Sequence, residues 1–242
     1  MWLFTARLDD PALAERWEAG LAPDERARAR RFIDPIHFRR LVLRRWTVRC
    51  VLGAQLGVPP DSLTFSTNAF GRPTLAPPFD RAGLCFSTSH SGDLALIALR
   101  TGPSAFAVDI EQVRPLDDAA EIVGRFFSPN ERREFFALAP SDRPEAFWRG
   151  WTVKEAFIKA LGLGLSFPLD QFDVTLRPDR PAAIERVEAG NADRWGVRMI
   201  RAGTGFRAAL VGQDLPESTA VLVPVVIDTA DLPAPAVVPT GS

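Results

Sequence analysis

The sequence predicts an α+β protein of two similar lobes, each a helix packed on a small, mostly antiparallel sheet. Two observations carry this. Helical patterning followed by a run of short strands occurs twice along the chain. The length, 242 residues, is enough for one large core or two half-size lobes, and no linker-like stretch divides it. The expected boundaries are 1–104 for the N-terminal lobe, 105–230 for the C-terminal lobe and 231–242 for a Pro-rich tail of little intrinsic order.

Taken in order, Met1 to Leu8 reads as an opening strand and Asp9 to Leu21 as a short helical or loop region. Pro23-Asp24-Glu25-Arg26 is a helix start, with proline and acids in the first turn. The helical pattern runs on to a stop near Gly57-Val58-Pro59-Pro60, and Asp34-Pro35 splits it into two helices. The second helix carries Arg39, Arg40, Arg44, Arg45 and Arg49, a cationic face of which one or two members would reach a phosphate. A strand at Leu63 to Ser66 leads into a Gly/Pro turn, Asn68 to Pro73. Leu84 to Ser87 and Leu94 to Arg100 read as strands around a polar loop, Thr88 to Asp93. Strand Phe106 to Ile110 follows.

The second half opens with helices at about Asp117–Phe127 and Ser128–Ala137. In the latter Ser128, Pro129 and Glu131 form a capping box. A long helix spans Arg143 to Leu161, with Gly162 and Gly164 as stop signals. The expected strands are then Phe172–Leu176, Ala183–Val187, Trp195–Ile200, Phe206–Val211 and Ala220–Val225.

Composition narrows the function classes. A net charge of -1 offers no broad attraction to nucleic acid or an anionic membrane. No apolar run approaches the ~20 residues of a bilayer span, and the N-terminus lacks a signal-peptide pattern, so a cytoplasmic protein is expected. Cys50 and Cys85 stand apart, without metal-ligand spacing. Lys154 and Lys159 are the only lysines in an arginine-rich chain. Arg and Lys are not interchangeable where a compact charge must reach its target, so the pair suggests an ammonium required on that helix.

Those lysines lie beside acids. Strand side chains alternate, so Asp109 and Glu111 share a face. On the helix, Trp151, Glu155 and Lys159 recur at four-residue spacing and share another. Three carboxylates, without a His/Cys cluster, suit the oxygen coordination of Mg2+ rather than zinc. Carboxylates on an otherwise apolar strand also need a reason to be there. Ser89-His90-Ser91 lacks the geometry of a Ser/His nucleophile pair and is better suited to gripping phosphate oxygens. The residues together indicate a magnesium-dependent transferase acting on a phosphate-rich substrate.

In order and spacing these stretches resemble the Sfp-type 4'-phosphopantetheinyl transferases. Trp151 to Lys159 matches in full the family's Trp-Ser/Thr-x-Lys-Glu-Ala/Ser-x-x-Lys signature, and Ser89-His90-Ser91 matches its Ser/Thr-His-Ser segment. Ala107 to Glu111 matches Gly-Ile/Val-Asp-Ile/Val-Glu with Ala107 in place of the usual glycine. Gly71-Arg72-Pro73 and Arg30-Arg31-Phe32 add weaker agreement upstream.

The resemblance implies transfer of the phosphopantetheine arm of coenzyme A to a serine of an apo acyl or peptidyl carrier protein, releasing adenosine 3',5'-bisphosphate. It implies lobes related by a pseudo-twofold axis, with coenzyme A in the cleft between them, and a pseudo-dimeric monomer. Asp109, Glu111 and Glu155 would hold Mg2+; Glu155 would also accept the serine proton, and Lys159 would neutralise the pyrophosphate. Lys154 would be a further phosphate contact. His90 and Arg40 would grip the 3'-phosphate, Ser89 a phosphate oxygen, and Arg72-Pro73 would flank the adenine. Two other readings use the same residues: a different metal-dependent phosphate-ester hydrolase or nucleotidyl transferase, and a non-catalytic coenzyme A or carrier-protein binding module.

Overall fold

The computed structural model describes residues 1–163, 166–188, 190–215 and 222–235. Strand β1 (Trp2–Arg7) is followed by helices α1 (Pro11–Trp17), α2 (Pro23–Ala29) and α3 (Pro35–Leu56). Proline opens each helix, and α2 and α3 divide at Asp34-Pro35 as the sequence predicts. Asp34 caps α3 by accepting from Ile36 N at 2.8 Å. A short hairpin, β2 (Phe65–Thr67) and β3 (Pro73–Leu75), precedes β4 (Leu84–Ser91), β5 (Leu94–Thr101) and β6 (Phe106–Gln112). The second half supplies α4 (Ala119–Phe126), α5 (Pro129–Ala137) and α6 (Arg143–Leu161). Strands β7 (Phe172–Val174), β8 (Ile184–Val187), β9 (Trp195–Ile200), β10 (Phe206–Gln213) and β11 (Val225–Ile227) follow. Among the described residues, no helix is long and apolar enough to cross a membrane.

Strand alternation decides how these elements stack. One sheet has the order β11-β1-β5-β4 and another the order β6-β10-β9. All their pairings are antiparallel except β1 with β11. One face of the first sheet, with Phe86, Ile97 and Leu99, packs on Val48, Val51 and Leu52 of α3. Its other face gives Leu94, Leu96 and Ala98 to a core shared with Phe106, Val108 and Ile110 of β6 and Ala208 and Leu210 of β10. The far side of the second sheet packs Ala209, Val211 and Val197 against Val153, Ala156 and Phe157 of α6. The layers are therefore α3, first sheet, second sheet, α6. The odd-numbered residues of β6, Asp109 and Glu111 among them, are left facing α6.

Three expectations change. The polar loop Thr88 to Asp93 is strand as far as Ser91, and only Gly92-Asp93 turn the hairpin, with Gly92 at φ 55°. Ser89 and His90 are thus consecutive strand residues on opposite faces. The expected last strand is observed at Val225–Ile227, and residues 220 and 221 lie outside the described residues. It runs parallel to β1 in the first sheet, while Leu222, within the expected range, bridges in parallel to Ile200 of β9 in the second half. The start of the expected tail also returns to the first half: Leu232 packs on the α1–α3 core, and Trp46 Nε1 donates to Pro233 O at 2.8 Å. Burial of an apolar side chain and an indole hydrogen bond outweigh the weak order of a proline-rich segment. Residues 236–242, and the second stop signal at Gly164, lie outside the described residues.

Candidate active site between strand β6 and helix α6

The centre of the site is a buried carboxylate. Asp109 is 1% exposed, and its Oδ1 accepts from Ser89 Oγ at 2.8 Å and from Lys159 Nζ at 2.5 Å. Lys159 Nζ also donates to Ser89 Oγ at 3.1 Å. The other oxygen, Asp109 Oδ2, is buried without a hydrogen-bond partner. An unpaired buried carboxylate oxygen is costly, and such an atom marks a place where a cation or donor is missing.

The other acids crowd the same space. Glu111 Oε2 accepts from Ser91 Oγ at 2.8 Å; burial and then the Asp109 charge raise its pKa. Glu155 is pushed up to about 7, by burial first and then by Asp109 and Glu111, against the pull of Lys159. The structure therefore brings Asp109, Glu111, Glu155 and Lys159 into one electrostatic unit. Among the described residues, however, it does not hold three acids in a preformed metal-ligand cluster, and Lys159 Nζ lies on Asp109 Oδ1.

Serines weld β6 to β4 beside this centre. Ser87 Oγ accepts from Val108 N at 3.1 Å and Ser91 Oγ accepts from Gln112 N at 3.0 Å, with Ser89 on Asp109 between them. The repeat Ser87, Ser89, Ser91 at every second residue was the available signal for this seam: one polar face on a strand whose pairing partner β5 is apolar on both. Ser89 consequently serves the carboxylate and the lysine.

The opposite face of β4 sends His90 toward α3. Its ring is open to solvent, yet its pKa is lowered to about 4, by partial burial and then by Arg44, Lys159, Arg40 and His37. Arg40, the expected partner of His90, is already engaged: its Nε donates to Asp93 Oδ1 at 2.9 Å, beside Arg39 at 3.2 Å. Arg44, one helical turn on, was not singled out in the sequence. Its Nε is buried without a partner, and burial and then Arg45 and Arg28 lower its pKa to about 10. A desolvated cation among cations is what an anion site requires, so Arg44 replaces Arg40 as the main candidate.

Two further expectations are corrected. Lys154 contacts no cleft. It is 0% exposed, and its three donors reach Glu131 Oε2 at 2.8 Å, Leu169 O at 2.7 Å and Phe172 O at 2.9 Å, under the Phe172 ring. Five residues at 100° per residue separate Lys154 from Lys159 by about 140° around the helix, so one faces the core when the other faces the site. Glu131 is the acid of the expected capping box, its Oε2 accepting from Ser128 N at 2.8 Å. Arg72 lines a cleft of about 200 Å3 with Phe70, Gly71, Pro73, Thr88 and Lys159. The Arg72 guanidinium is instead bonded to backbone: Nη1 donates to Lys159 O and Nη2 to Phe106 O, each at 2.9 Å.

The comparisons with known proteins agree with the motifs. Residues 105–211 match the family model described as the 4'-phosphopantetheinyl transferase superfamily. The chain is 36% identical over 188 residues to the 4'-phosphopantetheinyl transferase HetI of Nostoc sp., covering 77% of this chain and 78% of that one. It is 34% identical over 171 residues to the 4'-phosphopantetheinyl transferase Sfp of Bacillus subtilis, covering 71% and 73%. A solved structure, the holo-acyl-carrier-protein synthase AcpS of Thermotoga maritima, matches at 23% identity with a TM-score of 0.35, over 45% of this chain and 62% of that one. That likeness is too distant to add to the fold. With the HetI and Sfp identities spread over most of the chain, the protein belongs to the 4'-phosphopantetheinyl transferase superfamily.

Proposed function

We propose that the protein transfers the 4'-phosphopantetheine arm of coenzyme A to a serine hydroxyl of an apo carrier protein. The observation that carries this reading is the buried Asp109–Lys159 pair with Glu111 and Glu155 around it. The unpartnered Asp109 Oδ2 and two further crowded acids fit a hard divalent cation, and Asp109, Glu111 and Glu155 would hold Mg2+. Bound there, the ion would supply Lewis-acid neutralisation of the pyrophosphate.

The chain's own residues then have distinct roles. Lys159 presents a cation to the pyrophosphate oxygens, where preorganised charge is most effective. Glu155, with a pKa near neutrality, accepts the serine proton. The serine oxygen bonds to the phosphorus next to the pantetheine, and the bond from that phosphorus to the bridging oxygen breaks. Adenosine 3',5'-bisphosphate leaves, and Lys159 stabilises its new charge. Arg44 supplies the cation for the 3'-phosphate and the neutral His90 ring an N–H donor beside it, and Phe70, Gly71 and Pro73 line the cleft at the adenine end. The packing of α3 on one sheet and α6 on the other supports the pseudo-twofold, two-lobe arrangement and the reading as a pseudo-dimeric monomer.

Incubation with coenzyme A, Mg2+ and apo carrier proteins of fatty acid, polyketide and nonribosomal peptide synthesis tests the reading. A phosphopantetheine mass added to the carrier serine is expected. Coenzyme A breakdown without carrier modification would replace transfer with hydrolysis.

A further inference from the structure

We propose that Arg72 and Asn68 are positioning residues for the transfer: the turn they build fixes the C-terminal end of α6, and so Lys159, without its guanidinium touching phosphate. This rests on the transfer reading above.

The last carbonyls of a helix have no partner within it. At the end of α6 Lys159 O, which also accepts from Gly162 N at 3.1 Å, and Gly162 O receive side chains from a turn about 90 residues earlier in the chain. Arg72 Nη1 donates to Lys159 O at 2.9 Å and lies 3.5 Å from Ala160 O; Asn68 Nδ2 donates to Gly162 O at 3.1 Å. A cation here also complements the negative end of the helix dipole. The second arm of the same guanidinium, Nη2, holds Phe106 O at 2.9 Å, at the first residue of β6.

One planar group thus joins the backbone of Lys159 to the strand carrying Asp109, the two residues whose side chains meet at 2.5 Å. The turn is rigid enough for this. Asn68 Oδ1 accepts from Phe70 N and Arg72 N, both at 2.9 Å, and Asn68 N donates to Arg72 O at 3.0 Å. Lysine at position 72 would keep the charge but lacks the fork that spans two carbonyls. A phosphate contact would tolerate that exchange; a brace between β6 and α6 would not.

The test uses Arg72→Lys, Asn68→Asp and the double variant. Asn68→Asp keeps the turn's acceptor, loses the donor to Gly162 O and sets a negative charge against the C-terminal end of α6. Expected for Arg72→Lys is a fall in kcat of about 10- to 100-fold, the scale for misplacing a catalytic group, with KM for coenzyme A changed less than about threefold. The double variant should be no slower than Arg72→Lys alone, since both act on one helix end. A second readout needs no activity. Lys154 is fully buried, so Lys159 is the only lysine side chain open to an amine-acylating ester. Peptide mapping should show Lys159 acylated faster in both variants than in the native protein. A raised KM with unchanged kcat, or unchanged Lys159 acylation in variants with native circular dichroism, overturns the proposal. Should native protein modify no carrier, the transfer reading fails, and the acylation rates still decide whether Arg72 positions Lys159.

Discussion

Lys159 Nζ and Asp109 Oδ1 meet at 2.5 Å across the interface of α6 and β6, and Ser89 Oγ touches both. The pair gives each charge a partner while leaving Asp109 Oδ2 without one.

Asp109→Asn keeps the side-chain volume and removes the charge. Transfer should fall by about 100-fold or more, the scale for losing a main electrostatic element of a site, and added Mg2+ should not restore it. The melting temperature should move only a few degrees. Native-like turnover measured by carrier mass shift would remove Asp109 from the metal and lysine site.

Glu155→Gln should trade activity for stability in a pH-dependent way. In folded, metal-free protein Glu155 keeps its proton to about pH 7, against an ordinary 4.5. Between those values the folded state binds more protons than the unfolded one, so this group's contribution to stability falls as pH rises. Thermal melts in EDTA should show Glu155→Gln gaining little at pH 4.5 and several degrees at pH 8. An equal gain at both would contradict the raised pKa.

Lys154→Met tests the corrected assignment. Removing one partner of a buried ion pair strands the other, at a cost of about 3–5 kcal/mol. Urea unfolding should show that loss, while the folded fraction keeps its KM for coenzyme A. A selective KM increase would return Lys154 to the phosphate site.

Arg44→Met should weaken coenzyme A binding at least tenfold and 3'-dephospho-coenzyme A far less, with Arg40→Met weaker in both respects. Apo stability should rise, because an unpaired buried cation is lost. Titration calorimetry with the two ligands checks this. Equal losses for both ligands would place Arg44 away from the 3'-phosphate.

Local periodicity was enough for the elements and much of the site. Two-residue alternation put Asp109 and Glu111 on one face, and four-residue spacing put Glu155 with Lys159, because those relations depend only on strand and helix geometry. The helix cap at Ser128 and the helix break at Asp34-Pro35 were readable for the same reason. What sits opposite a face is settled by packing between distant segments, and there the sequence was silent. Hence Lys154 read as a phosphate ligand until Glu131, Leu169 and Phe172 were found around it. Arg40 read as one until Asp93 was found on it, and Arg72 until its fork was found on the end of α6. The sequence by itself determined which residues have the chemistry for phosphoryl transfer. Tertiary structure decided which of them are free to use it: Lys154 spends its three donors on Glu131, Leu169 O and Phe172 O and has none left for a substrate, while Arg40 and Arg72 are turned toward Asp93 and the end of α6.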